Sequence, residues 1–229
     1  MNITVLTLFP QMFISPFAES IVKKAQEKNL VTLKFVDIRE FGIGTHKTVD
    51  DTPYGGGKGM LMRVDVVHEA IKSVKIPEAK TEKVFLMSAQ GRPFKQQIAK
   101  ELSTIDHLIL ICGHYEGIDS RILEYIDGQI CVGDFILTGG EIPAMLIIDS
   151  IARLVPGVLD PEATAYESFS HTDGGKLLEY PQFTRPAIYE GKEVPPILQS
   201  GNHQEIARWR SEQAKRITRK TRPDLITNY

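Results

Sequence analysis

The sequence predicts an α/β domain with a mostly parallel sheet, followed by a small helical, basic C-terminal part. Three observations carry this. Short runs rich in Val, Ile and Phe recur along the first 140 residues. Helical patterns separate those runs, and alternation of this kind implies parallel strands with helices on both faces. After residue 155 the composition changes to proline-rich and then to basic.

Taken in order, the strand-like runs are "ITVLTLF" (3–9), "VTLKFVDI" (31–38), "KVFLMS" (83–88), "HLILICG" (107–113) and "QICVGDFIL" (129–137). They are too short for average helices and suit strands. Helical patterns lie between them at 13–28, 65–74, 94–102 and 118–126. The segment 141–154 reads as a helix that is apolar almost all round. It follows Gly139-Gly140 and stops before Pro156-Gly157. Such a helix must be heavily buried, and in a chain of 229 residues it suggests a second copy as part of its cover. Domains are therefore expected at 1–155, with a linker or lid over 156–200 and a helical basic part over 201–229. The linker holds six of the 13 prolines and four glycines. A long loop of that kind is usually functional or disordered.

Composition excludes several classes. At 42% hydrophobic the chain is ordinary for a globular protein. No apolar stretch approaches the roughly 18 residues of a membrane span, so no membrane partner is expected. The apolar N-terminus has no basic lead or small-residue cleavage site and reads as a first strand, not a signal peptide. Cys112 and Cys131 sit in apolar runs, as buried reduced thiols do in a cytoplasmic protein. The net charge of −2 is unevenly spread: 201–229 carries +4 and the rest −6. A basic tail on an acidic body suits a polyanion-facing part, and equally a solvated helix face.

Chemistry-bearing patterns narrow the reading further. "DTPYGGGKGM" (51–60) imitates a phosphate-binding loop. A P-loop needs an earlier glycine and a hydroxyl residue after the lysine. Here Thr52 and Gly59 occupy those places, so nucleotide hydrolysis is excluded. No dinucleotide fingerprint follows any strand. The glycines permit close approach by a partner, with Asp50, Asp51 and Lys58 for polar contact; the bland alternative is a turn-rich connection. The six histidines have no metal-ligand spacing and no cysteine partners. No hydrolase nucleophile elbow is present. By contrast, "SAQG" (88–91), "CGHYEGID" (112–119) and "VGDFILTGGE" (132–141) all follow strands. In a parallel sheet they gather at the carboxyl ends, where ligands bind. Together they predict a small-molecule pocket.

The long segments "TVDDTPYGGGKGMLM", "ICGHYEGIDSRI", "VGDFILTGGEIPAMLIIDSIARLVPGV", "YPQFTRP" and "GNHQEIARWR" resemble the bacterial tRNA (guanine-N1)-methyltransferases of the TrmD family, in the SPOUT class, over nearly the whole chain. The resemblance implies a deep trefoil knot on the C-terminal side of the α/β domain, which holds S-adenosylmethionine in a bent shape. It implies a homodimer with active sites at the interface and tRNA as substrate, methylated at N1 of the guanine at position 37, 3′ of the anticodon. By position, it places the cofactor at Ser88, Gln90, Gly91, Gly113, Tyr115, Glu116, Val132, Gly133, Asp134, Phe135, Ile136, Leu137, Gly139, Gly140 and Pro143. It puts substrate contacts at Asp50, Gly59, Arg208 and Arg210, and the catalytic arginine at Arg153; the bland alternative for Arg153 is a helix C-terminal cap. The family's general-base Asp belongs to a Glu-Asp-Ser-Phe run, whereas this chain has "AYESFS". Glu167 is the candidate base and Asp173 the second candidate. Ala89 stands where the family often has proline. Magnesium dependence is also implied, with Glu116 as one contact and no ligand set visible. The rivals are a knotted RNA-binding protein without catalysis and a SPOUT methyltransferase acting on another RNA.

Overall fold

A computed structural model describes residues 1–170 and 177–226. The chain divides into two compact units, Met1–Leu159 and the part from Asp160 onward.

The first unit is built on β1 (Asn2–Thr7), α1 (Ser20–Glu27), β2 (Thr32–Asp37), β3 (Asp50–Asp51), β4 (Leu61–Met62), α2 (Val64–Val74), β5 (Glu82–Pro93), α3 (Gln96–Leu102), β6 (His107–Ile111), β7 (Gly128–Cys131) and α4 (Glu141–Ala152). Five strands form one sheet in the order β2-β1-β6-β5-β7, and every pair in it is parallel. The expected parallel α/β sheet is therefore present. β3 and β4 make a separate antiparallel hairpin around the glycine loop.

The central strands β1 and β6 are buried on both faces, which explains their nearly continuous apolar runs, whereas the edge strand β2 keeps Thr32 and Lys34 exposed. Alternate residues serve two cores. Ile3, Val5, Leu108, Leu110 and Cys112 pack on one side with residues of α1, α3 and α4. Leu6, Ile109, Ile111, Val84 and Leu86 pack on the other with Val66, Val67, Ala70 and Ile71 of α2. Each large side chain so buried contributes about 1.5–3 kcal/mol. Both cysteines are buried free thiols, as expected.

Several boundaries differ from the sequence reading. The helix expected over 13–28 is a 3₁₀ turn at Pro10–Phe13 followed by α1 from Ser20 only. Pro16 lies between them; its ring removes an N–H and disfavours helix at the preceding residue. The pattern at 118–126 is a 3₁₀ helix, Ser120–Tyr125, capped by Asp119, whose carboxylate accepts from the Arg121 N–H. β7 stops at Cys131, not at 137, and 132–138 apart from Asp134 forms pocket wall instead. β5 runs on to Pro93 and meets β7 in two registers, with an irregularity between Met87 and Arg92.

α4 is deeply placed, with Ala144, Ile147, Ile148, Ile151 and Ala152 fully buried. Its apolar character continues onto an exposed flank, where Ile142 and Leu146 are 52% and 44% exposed.

In the second unit lie α5 (Pro161–Ala165), the hairpin β8 (Ile188–Tyr189) and β9 (Lys192–Glu193), and α6 (His203–Thr221). The side chain of Asn202 caps α6 by accepting from the Glu205 N–H at 3.3 Å, as cap residues do. Thr218 of α6 is buried and accepts from the Leu178 N–H at 2.9 Å. Among the described residues, no helix is long and apolar enough to cross a membrane.

Candidate functional site

The loops at the carboxyl ends of β6 and β7 and the irregular stretch of β5 between Met87 and Arg92 enclose a cavity of about 450 Å³. That volume lies in the range of small-molecule sites. Ser88, Ala89 and Gln90 line it from β5. The turn after β6 contributes Gly113 to Gly117, and the segment after β7 contributes Val132, Gly133, Phe135, Ile136 and Leu137. Gly139, Gly140 and Pro143 complete the wall at the start of α4.

Backbone geometry shapes this cavity. Gly140 donates its N–H to the Gly113 carbonyl at 2.9 Å. A Cβ on Gly140 would lie 2.6 Å from the Cys112 Cα, so the two loops touch only because a side chain is missing there. Tyr115 adopts φ 58° in the left-handed region. For a non-glycine residue this costs about 1–2 kcal/mol, and such strain concentrates at functional sites.

The glycine loop is tied to the same cavity. Glu116 N–H donates to Met60 O at 3.0 Å, Met62 N–H to Gly117 O at 2.9 Å, and Asp119 N–H to Met62 O at 3.0 Å. Thus the β3–β4 hairpin braces the turn that carries Tyr115 and Glu116. Asp50 pairs with Met62 across the hairpin. Tyr54, at its tip, is 99% exposed. At the foot of the hairpin, Arg63 reaches Asp51 at 3.1 Å and Asp65 at 2.9 Å. Its hydrogen bond lowers the carboxyl pKa of Asp65, and Arg121 does the same to Asp119.

Among the expected cofactor residues, Gly91 and Asp134 are not in the cavity wall. Gly91 has a packing task instead. A Cβ there would lie 2.4 Å from the Ile130 N, inside the β5–β7 contact. Asp134 is exposed. Arg153 is half-buried at the C-terminal cap of α4. Glu167 belongs to the second unit and is half-buried; its carbonyl accepts from the Ser170 N–H at 3.1 Å. Asp173 falls outside the described residues. Arg208 pairs with Glu205 at 2.7 Å along α6, and Arg210 stacks over the Tyr180 ring, 4.9 Å from its centroid. Lys215, Arg216, Arg219 and Lys220 group on the same helix.

The sequence did not assign Leu61, Ile118, Cys131 or Thr138 to the cavity, which they also line. All four lie in or beside quoted motifs, so only their orientation was hidden. It also missed Thr7, whose hydroxyl donates to the Glu141 Oε1 at 2.8 Å. Nothing in "TVLTLF" sets that threonine apart. Among the described residues, no group of three or more His, Cys, Asp and Glu side chains could hold a metal ion.

A glycine-walled cavity at the carboxyl edge of a parallel sheet defines a ligand-binding α/β protein. Comparison with known proteins carries this further. Residues 1–228 match the family model described as tRNA (Guanine-1)-methyltransferase TrmD. A protein of Clostridium botulinum (strain Kyoto / Type A2) is 52% identical over 229 residues, covering 100% of this chain and 93% of that one. One from Desulforudis audaxviator is 51% identical over 227 residues, 99% of this chain and 90% of its own. One from Dehalococcoides mccartyi is 49% identical over 227 residues, with the same coverage. All three are named tRNA (guanine-N(1)-)-methyltransferase. The chain belongs to the TrmD family of tRNA (guanine-1)-methyltransferases.

Proposed function

We propose that the protein transfers the methyl group of S-adenosylmethionine to N1 of the guanine at position 37 in tRNA. The observation that carries this reading is the family match along residues 1–228, on a chain whose cavity is walled by the loops that the motifs occupy. The wall suits an adenosyl ligand. It offers main-chain groups at 113–117 and 132–140, apolar surface from Leu86, Ile130 and Val132, and side-chain polar atoms from Ser88 and Gln90.

Guanine N1 is not nucleophilic while it carries its proton. Glu167 takes the role of general base and accepts that proton. Arg153 binds O6 and stabilises the negative charge that appears on the base. A guanidinium is permanently charged and forked, which suits this task. The donor supplies a methyl on a positively charged sulfur, which the deprotonated N1 takes as the neutral thioether leaves. The loops hold the reactants together, and no covalent enzyme intermediate is required.

The remaining roles follow the same reading. Gln90, Tyr115 and the 132–140 segment hold the donor, and the C-terminal side of the α/β domain forms the knot. Asp50 and Gly59 face the guanine, which must leave its stack to enter, as bases generally do for enzymes that act on them. Arg208 and Arg210 contact tRNA phosphates. A second copy covers the exposed flank of α4 at Ile142 and Leu146, giving a homodimer, and the enzyme works in the cytoplasm. No residue is assigned to magnesium.

The test is transfer of labelled methyl from S-adenosylmethionine to tRNA transcripts carrying guanine or adenine at position 37. Transfer to the guanine transcript alone is expected. Transfer to neither would leave an RNA-binding protein without chemistry, and transfer to ribosomal RNA instead would identify another substrate.

A further inference from the structure

One buried charge has no part in the reaction described above. Glu141 opens α4 and is 3% exposed. Its Oε1 accepts from the Thr7 hydroxyl at 2.8 Å, and Thr7 in turn accepts from the Phe9 N–H at 3.0 Å. No Lys or Arg pairs with Glu141 among the described residues. A carboxylate removed from water without a counter-charge is costly. The positive end of α4 offsets only part of that cost.

The other carboxylate oxygen faces the cavity wall. A Cβ on Gly139 would lie 2.3 Å from the Glu141 Oε2, and Gly139 itself lines the cavity. The same Cβ would lie 2.8 Å from the His114 Cδ2 and 3.2 Å from its Nε2. One glycine therefore separates the carboxylate from the cavity side, with His114 as the neighbouring ring. Among the described residues that line the cavity there is no Lys and no Arg, while Glu116 adds a further acid. Burial also raises the Cys112 thiol well above its ordinary range, and the Glu141 charge pushes it the same way. Cys112 thus adds no second charge.

We infer that Glu141 is a specificity-determining residue that makes the pocket prefer a cationic ligand over a neutral one of the same shape. This preference rests on S-adenosylmethionine being the donor. That ligand carries a sulfonium, and its demethylated product, S-adenosylhomocysteine, carries an uncharged thioether. A fixed negative charge in a poorly solvated wall acts on the difference between them. It favours loading of the donor and release of the product.

Calorimetric titration of the full-length protein with each ligand tests this. Glu141→Gln keeps the shape and an acceptor for Thr7 and removes the charge. It is expected to weaken S-adenosylmethionine binding about tenfold and leave S-adenosylhomocysteine within about twofold. His114→Lys brings a cation to the Glu141 carboxylate from the other side of Gly139; it offsets that charge while leaving Glu141 and its Thr7 partner in place, so it serves even if Glu141→Gln does not fold, and should shift the two affinities in the same unequal way. Thr7→Val keeps the charge and should move both ligands together. Equal weakening of both ligands by Glu141→Gln and His114→Lys, or no change in either, overturns the inference. A wild-type protein that binds neither ligand overturns the donor assignment as well, and is told apart by the unmutated titration alone.

Discussion

The α-carbon of Gly59 sits directly against the Glu116 side chain. A Cβ at Gly59 would lie 2.4 Å from the Glu116 Cγ and 2.5 Å from its Oε1, and the backbone there has φ +89°. The glycine loop and the turn after β6 thus approach this closely only because one methyl group is absent. Gly59→Ala forces Glu116 aside and adds about 1–2 kcal/mol of backbone strain. Donor affinity should fall several-fold in titration calorimetry, with methylation falling alongside. Unchanged affinity would show that the loop is only a connection.

A second glycine is fixed by backbone instead of side chain. A Cβ on Gly91 would approach the Ile130 N to 2.4 Å and the Gln129 C to 2.5 Å. Strand backbone cannot step aside as a Glu side chain can. Gly91→Ala should therefore destabilise the fold by about 1–3 kcal/mol, the usual range for overpacking. A thermal or denaturant melt measures this.

Much of this was legible in the sequence, and the limits have physical causes. The central runs were visible because a strand buried on both faces, as β6 is, takes apolar residues at nearly every position, and β2 was visible through its partly buried Leu33 and Phe35 and its buried Val36. The 132–137 segment read as strand for the same compositional reason, since Val132, Phe135, Ile136 and Leu137 are apolar. They wall a cavity after β7 ends at Cys131. Pro16 was the available signal against a helix from 13. Gly91 and Gly59 show a deeper limit. A glycine in a motif reveals that space is scarce, and only coordinates show whether Ile130 backbone or a Glu116 side chain fills it. Thr7 and Glu141, 134 positions apart, make a pair that no local pattern announces.

The assigned chemistry separates binding from turnover. Glu167→Gln removes the proton acceptor and should lower kcat by about 10²–10⁴-fold, the usual worth of a general base. Donor affinity should survive. Arg153→Ala should cost about 10²–10³-fold in kcat, as the loss of a charge-stabilising donor does. Single-turnover kinetics with saturating tRNA check both. Near-normal turnover in Glu167→Gln would move the base to Asp173 or elsewhere.

Basic residues on α6 make a prediction about salt. Contacts to phosphates release counterions, so tRNA affinity should fall linearly with log salt. Removing Arg208 and Arg210 together should weaken binding to all tRNAs alike and flatten that slope by about 2. Filter binding at several salt concentrations gives both numbers. An unchanged slope would return α6 to the status of a solvated helix.

The proposed reaction changes one atom of one base. A methyl on guanine N1 blocks the Watson–Crick edge, so a reverse transcriptase copying the treated tRNA stops beside the modified base. Primer extension on transcripts incubated with the protein and S-adenosylmethionine is expected to stop at position 37, with N1-methylguanosine as the new nucleoside in the digest. A full-length copy, or a methylated nucleoside other than N1-methylguanosine, would contradict the account.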